Sequence, residues 1–331
     1  MEFKTEKHSS MIHFKNQPKL SGVEIDQKRD ERRLILIPQI EIFLSTDDLF
    51  KGKEIEVEFS HEGISSLVCF IEMEEEKFVL KIALNNTVSE GSEALFLKTW
   101  ENAGISTPHV FKEGKIADNS YVLMEYIDAP TAEAKYKDDE SAKENMYFEA
   151  GKILRNMHKP ESVGFGKVTD GEGEYSSFKE WIDSPDMENR VKYVEDNNLI
   201  NSEYGTFSQA RDILVKYVGD SNKSSYCHFD YSAGHLFATE PLTVFDPNPL
   251  FNNGYIDLGR TLVNYIAVSG LYPKSFVEGY SGESGLDEKV LHAAIFLNII
   301  YKLPYQHQKG KIHVIQNFQN YLSKNKFLLE K

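Results

Sequence analysis

From Arg33 onward, apolar residues alternate with charged ones at a period of two. This predicts strands over Leu34–Ile37, Ile40–Leu44, Ile55–Phe59, Leu67–Met73 and Phe78–Ile82. Pro38 interrupts the first pair and marks it as an edge. Ala94, Leu95, Leu97 and Trp100 fit one helix over Ser89–Ala103, closed by Gly104, and a strand follows at Tyr121–Tyr126. Beyond Pro130 the period lengthens. Helices are predicted over Ser141–His158, Phe178–Asn197, Thr206–Val218, Ile256–Ser269, Lys289–Tyr301 and Ile312–Leu329. The change of period predicts an α+β fold: a small antiparallel sheet with one helix over residues 34–127, then a larger, mainly helical lobe over residues 128–331. Residues 1–33 are polar with weak periodicity and read as an extension without chemistry.

Composition narrows the function classes. A formal net charge of −15 in 331 residues argues against a nucleic-acid or anionic-membrane surface, and would concentrate a cationic small molecule near the protein. Cys69 and Cys227 lie in no CxxC or zinc-like spacing, so neither a disulfide framework nor structural zinc is expected, and a reducing compartment fits. The first ten residues lack the apolar run of a secretory signal. The longest apolar stretch, Val290–Tyr301, is broken by His292 and Asn298 and is too short to span a bilayer. These features lead us to expect a cytoplasmic protein, monomeric or homodimeric, with small-molecule ligands.

Candidate chemistry concentrates in His228-Phe229-Asp230-Tyr231-Ser232-Ala233-Gly234-His235, followed by Val244-Phe245-Asp246 and Tyr255-Ile256-Asp257. Two strand-like runs flank a polar elbow that offers one carboxylate to orient an attacking hydroxyl, Asp230. Two metal-capable side chains follow, His235 and Asp246. Phosphoryl transfer needs such a set. Upstream, Lys81 ends an apolar strand, where an ammonium is costly without a carboxylate or phosphate partner, and Glu93 on the following helix is the natural one.

These elements, in this order, resemble the aminoglycoside phosphotransferase family, relatives of protein kinases that phosphorylate small molecules. The resemblance rests on the loop His61–Ser66, the strand Val79-Leu80-Lys81-Ile82, Glu93, the hinge Val122–Ile127, the helix end Gly151–His158 and the HxD elbow. It implies a bilobal protein-kinase-like fold and an enzyme that transfers the γ-phosphoryl group of ATP, or of GTP, to an alcohol with Mg2+. By motif position, Lys81 and Glu93 would serve the α- and β-phosphates. Ser65 and Ser66 would lie over the triphosphate, although the same loop also reads as an ordinary hairpin turn. Met124, Glu125 and Ile127 would meet adenine through the hinge, and Asp230 would be the catalytic base. Asp246 and His235 would hold the metal, while His228 and Asp257 would brace the elbow, with Arg260 near Asp257. Family members usually carry Asn where His235 stands, which leaves open weaker metal binding, another divalent ion or a lost second site.

Residues 163–183 also resemble a segment of several antibiotic kinases, hygromycin B kinase among them, beside the acceptor site. There Glu180, Asp183 and Asp186 could bind the ammonium groups of a cationic acceptor such as an aminoglycoside, or simply form a solvated helix face. Two alternatives stay open. One is a pseudokinase that binds nucleotide or ligand without turnover, and the other is a transition-metal hydrolase built on His228, Asp230, His235 and Asp246.

Overall fold

The computed structural model describes residues 11–20, 27–61, 65–84 and 92–325. The chain forms two compact units, Met1–Lys98 with Pro108–Asp128, and Thr99–Thr107 with Ala129–Lys331.

The elements of the first unit, in chain order, are β1 (Ile12–Phe14), α1 (Gln27–Thr46), β2 (Ile55–Phe59), β3 (Ser66–Met73), β4 (Glu76–Ala83), α2 (Ser92–Asn102, which continues into the second unit), β5 (Val110–Ile116) and β6 (Asn119–Glu125). The strands form one sheet in the order β1-β2-β3-β4-β6-β5. β1 joins β2 in parallel, and the other neighbours are antiparallel. Within the stretch expected to be a polar extension, Ile12–Phe14 supply an edge strand and residues 27–33 the first turns of α1.

The strands expected over Leu34–Ile37 and Ile40–Leu44 are instead a single helix, α1, and the N-terminal unit gains a helix the sequence did not announce. Its buried positions, Arg33, Leu36, Ile40 and Leu44, recur every three or four residues. Leu34, Ile35 and Ile42 stay exposed, and they supplied the misleading β-like density of branched side chains. Pro38 sits on the exposed face, where the carbonyl that loses its partner can turn to water. Leu36, Ile40 and Leu44 pack with Phe50, Val57, Ile71, Leu80 and Leu123 into the core of this unit.

The second unit contains α3 (Ala132–Lys135), α4 (Glu140–Met157), β7 (Glu161–Val163), β8 (Phe165–Thr169), β9 (Glu172–Tyr175), α5 (Phe178–Ile182), α6 (Pro185–Asp196), α7 (Phe207–Val218), β10 (Lys223–Cys227), β11 (Leu236–Phe237), β12 (Thr243–Val244), β13 (Leu250–Asn252), α8 (Gly254–Ser269), α9 (Lys274–Ser281), α10 (Glu288–Gln308) and α11 (Ile312–Asn325). The helix expected over Phe178–Asn197 breaks at Ser184-Pro185. The serine caps α6 and the proline takes its first position, which a continuing helix could not tolerate. An antiparallel sheet in the order β7-β10-β13-β8-β9 was not legible, because its short strands, such as Glu161–Val163 and Glu172–Tyr175, are polar. Helices α4 and α9 cross at two glycines. A Cβ on Gly151 would lie 2.1 Å from the Phe276 carbonyl oxygen, and one on Gly279 would lie 2.0 Å from that of Phe148. Cys69 and Cys227 are free and buried. Among the described residues, no helix is long and apolar enough to cross a membrane.

His292 on α10 is buried, with no hydrogen-bond partner for Nε2 among the described residues, and burial pulls its pKa from 6.5 to about 4. The unfolded chain therefore binds the extra proton first, and stability present above about pH 6.5 is lost as the pH falls towards 4. At about pH 4.5 the expected loss from this group is ~2.5 kcal/mol. Urea midpoints of the wild type and His292→Leu at neutral and acidic pH check it, because the variant should lose that share of the acid dependence.

Candidate active site

In the first unit, strand alternation sends Leu80 and Ile82 into the core and turns Lys81 to the opposite, half-buried face of β4. Glu93 stands in the first turn of α2, and Lys81 Nζ lies 2.8 Å from both of its carboxylate oxygens. Both side chains are largely shielded, at 15% and 14% exposure, so each needs the other. Ser66 is buried at the start of β3, while Ser65 is exposed and its carbonyl accepts from Leu84 N. Glu62, Gly63 and Ile64 of the expected phosphate loop lie outside the described residues. On β6, Met124 is buried opposite Val79, and Glu125 exchanges bonds with His109 through its N–H and its carboxylate. Ile127 follows the strand and is half-buried.

In the second unit the elbow hangs on one carboxylate. Asp257, fully buried in the first turn of α8, accepts from His228 N and Phe229 N at 2.7 Å each, and His158 Nε2 lies 2.9 Å away. His158 Nδ1 is in turn 2.8 Å from the Tyr280 hydroxyl. These bonds hold Phe229 at φ 58°, a left-handed conformation that costs a bulky residue about 1–3 kcal/mol. Asp246 has φ 54°, so both ends of the site carry backbone strain.

His228 is sealed between Trp100 and His235, with ring centroids 6.0 and 5.7 Å away. Its Nε2 is 3.0 Å from the Phe245 carbonyl, an acceptor only, so Nε2 carries the proton. Burial lowers the pKa of this ring to about 4 and keeps it neutral. It is a brace that fastens the elbow to the segment before Asp246. Two backbone bonds add to that fastening, from Phe245 N to His235 O and from Asn248 N to His228 O.

The same tautomer argument gives His235 a different part. Its Nδ1 lies 2.6 Å from the Asp230 carbonyl and must donate, so in the neutral ring the lone pair falls on Nε2. That nitrogen lies 3.8 Å from Asp246 Oδ2, beyond hydrogen-bond reach but within the span that two ligands of one cation cover. Arg260 does not pair with Asp257, whose oxygens are taken. Its guanidinium lies over the rings of Phe229 and Tyr301, at 5.0 and 5.3 Å.

Asp230 itself is half-buried and lines a cavity of about 700 Å³ together with Glu133, Tyr265 and Lys302. This cavity was not legible in the sequence, since its walls come from α3, α4, the elbow, α8, α10 and α11. Glu180, Asp183 and Asp186 are not among its lining residues. Glu180 accepts from Ser176, and that bond lowers its pKa. Asp183 is gripped by Arg211 and Lys179, chiefly the former, which likewise holds its carboxyl below the usual range. Asp186 pairs with Arg190.

Residues 56–287 match the model of the APH phosphotransferase enzyme family, more than half of the chain. The chain belongs to that phosphotransferase family. A curated relative of this chain, named "Probable ketoamine kinase" in Staphylococcus aureus (strain NCTC 8325 / PS 47), is 22% identical over 206 residues. The match spans 57% of this chain and 65% of the relative, just under two thirds of its length. Among solved structures, a thermostable mutant of aminoglycoside phosphotransferase APH(4)-Ia, in ternary complex with AMP-PNP and hygromycin B, shares the fold. Its TM-score is 0.60 at 13% identity, over 88% of this chain and 98% of that one. A protein designated fructosamine-3-kinase from Haemophilus somnus 129PT gives a TM-score of 0.56 at 15% identity, over 88% of this chain and 95% of that one. The chain thus has the kinase-like fold expected of it, a sheet-rich N-terminal region followed by a helical one.

Proposed function

We propose that the chain is a small-molecule kinase that transfers the γ-phosphoryl group of a nucleoside triphosphate to a hydroxyl of a small acceptor. The observation that carries this reading is the elbow, where Asp257 clamps the backbone so that Asp230 lines the cavity while its carbonyl fixes His235 beside Asp246. Asp230 accepts a hydrogen bond from the acceptor hydroxyl and takes its proton as the new O–P bond forms. The bond from the γ-phosphorus to the bridging oxygen breaks, and that oxygen leaves with the nucleoside diphosphate.

Lys81, held by Glu93, is assigned to the α- and β-phosphates, with Ser65 and Ser66 flanking the loop over them. Met124, Glu125 and Ile127 are assigned to the base. Asp246 offers a hard oxygen and His235, through Nε2 of the neutral ring, a nitrogen, a set that fits a divalent cation such as Mg2+, which would neutralise charge on the β- and γ-phosphates. Dependence on nucleoside triphosphate fits a cytoplasmic protein. Relatives named for aminoglycosides and for ketoamines support a polyhydroxylated acceptor.

Purified full-length protein with Mg2+ and ATP or GTP is expected to release ADP or GDP only when an acceptor is added from a panel of aminoglycosides, macrolides, amino sugars, ketoamines and sugar acids. Lys81→Met is expected to raise the nucleotide KM by about tenfold or more, as loss of a charge-assisted contact requires. Nucleotide binding without turnover across the whole panel would return the chain to the class of binding modules.

A further inference from the structure

Lys302 on α10 lines the same cavity as Asp230. Its Nζ donates to Asn264 Oδ1, and among the described residues no carboxylate is ion-paired with it. An ammonium has three donors, so capacity remains for a ligand. Burial first, then the field of Arg260, lowers its pKa to about 7, with Asp230 opposing and Lys311 adding to the fall. Two cations and a single carboxylate therefore dominate its surroundings.

Arg260 deepens this positive field. Its Nε and Nη1 are shut off from solvent and find no hydrogen-bond partner among the described residues. Around the cavity the balance repeats, with Lys137, Lys302 and Lys311 against Glu133 and Asp230, while Lys143 on the same wall is paired with Glu140. In a chain whose formal net charge is −15, this is a local reversal of sign. A shielded ammonium without a counter-charge is costly to keep, and an anionic group placed against it removes that cost.

We propose that the cavity takes an acceptor that carries a carboxylate or a similar anionic group, with Lys302 as the residue that binds it and Asp230 as the neighbour that meets its hydroxyl. This rests on the kinase reading above and reverses the cationic acceptor expected from net charge. The lysine is a binding and specificity residue that takes no proton from the reaction. Because an anion facing Lys302 could also come from the nucleotide triphosphate, the test separates the two sources.

Isothermal titration of the full chain with glucuronate, glucose and glucosamine is expected to rank the acid first, by about tenfold or more over the neutral sugar. Lys302→Met should abolish that preference, Lys302→Arg should retain most of it, and neither should alter the affinity for Mg-ATP. Glucuronate bound no more tightly than glucose, absence of binding included, overturns the proposal. So does a preference untouched in Lys302→Met, or a loss that falls on Mg-ATP. Turnover of ATP with amino sugars alone would refute the anionic acceptor and leave the kinase standing. Lys302-dependent binding of the acid without turnover of any acceptor would do the reverse.

Discussion

Asp230→Asn is expected to lower phosphoryl transfer by about 10²–10⁴-fold while nucleotide affinity is unchanged. The carboxamide preserves the shape of the side chain, and the Asp230 backbone carbonyl that orients His235 is untouched. What is lost is the negative acceptor that orders the hydroxyl and receives its proton. The fall should appear in kcat rather than in the acceptor KM, because the proton is transferred only as the new bond forms. Steady-state kinetics beside nucleotide titration reads both quantities. A variant that retains turnover would remove Asp230 from the chemistry and leave it a structural member of the elbow.

Asp257→Ala should be the more damaging change to the fold, at about 3–5 kcal/mol of stability. Truncation strands the N–H groups of His228 and Phe229, both beneath the surface, and takes away the oxygen facing His158 Nε2. Phe229 would also lose the bonds that hold it at positive φ, so any protein that still folds should carry a relaxed elbow and little activity. Asp257→Asn keeps the volume but sets an amide NH2 where one of the two N–H donors now points, and should fall between. Urea unfolding gives the stability directly. A loss below about 1 kcal/mol would mean that solvent reaches these groups after truncation and that the clamp is not the main support of the elbow.

What the sequence could and could not disclose follows from how far each signal reaches along the chain. The Lys81–Glu93 pair was readable because twelve residues separate an ammonium on an apolar strand from the next helix carboxylate, and each needs the other. Asp257 was readable as support by motif position, but not as a bidentate acceptor of two backbone N–H groups, which depends on where α8 begins. The first helix was misread because its outer face carries Leu34, Ile35 and Ile42, so the period of its buried positions was masked by exposed apolar residues. The cavity escaped altogether. Lys302 lies 72 residues beyond Asp230 on a helix whose apolar run reads as plain core, and only packing brings them to one surface. The acidic residues 180–186 drew attention by their number, yet intrachain partners occupy them.

The clamp at Asp257 also bears on how this protein fails when heated. The carboxylate that shapes the elbow is joined through His158 to the end of α4 and, one bond further, to Tyr280 on α9, so the loop bearing Asp230 is tied directly into the helices of its unit. Enzymes with loosely tethered catalytic loops become silent well before they unfold. Here heat inactivation and collapse of the helical unit should be a single event, with thermal history leaving molecules either fully competent or wholly lost.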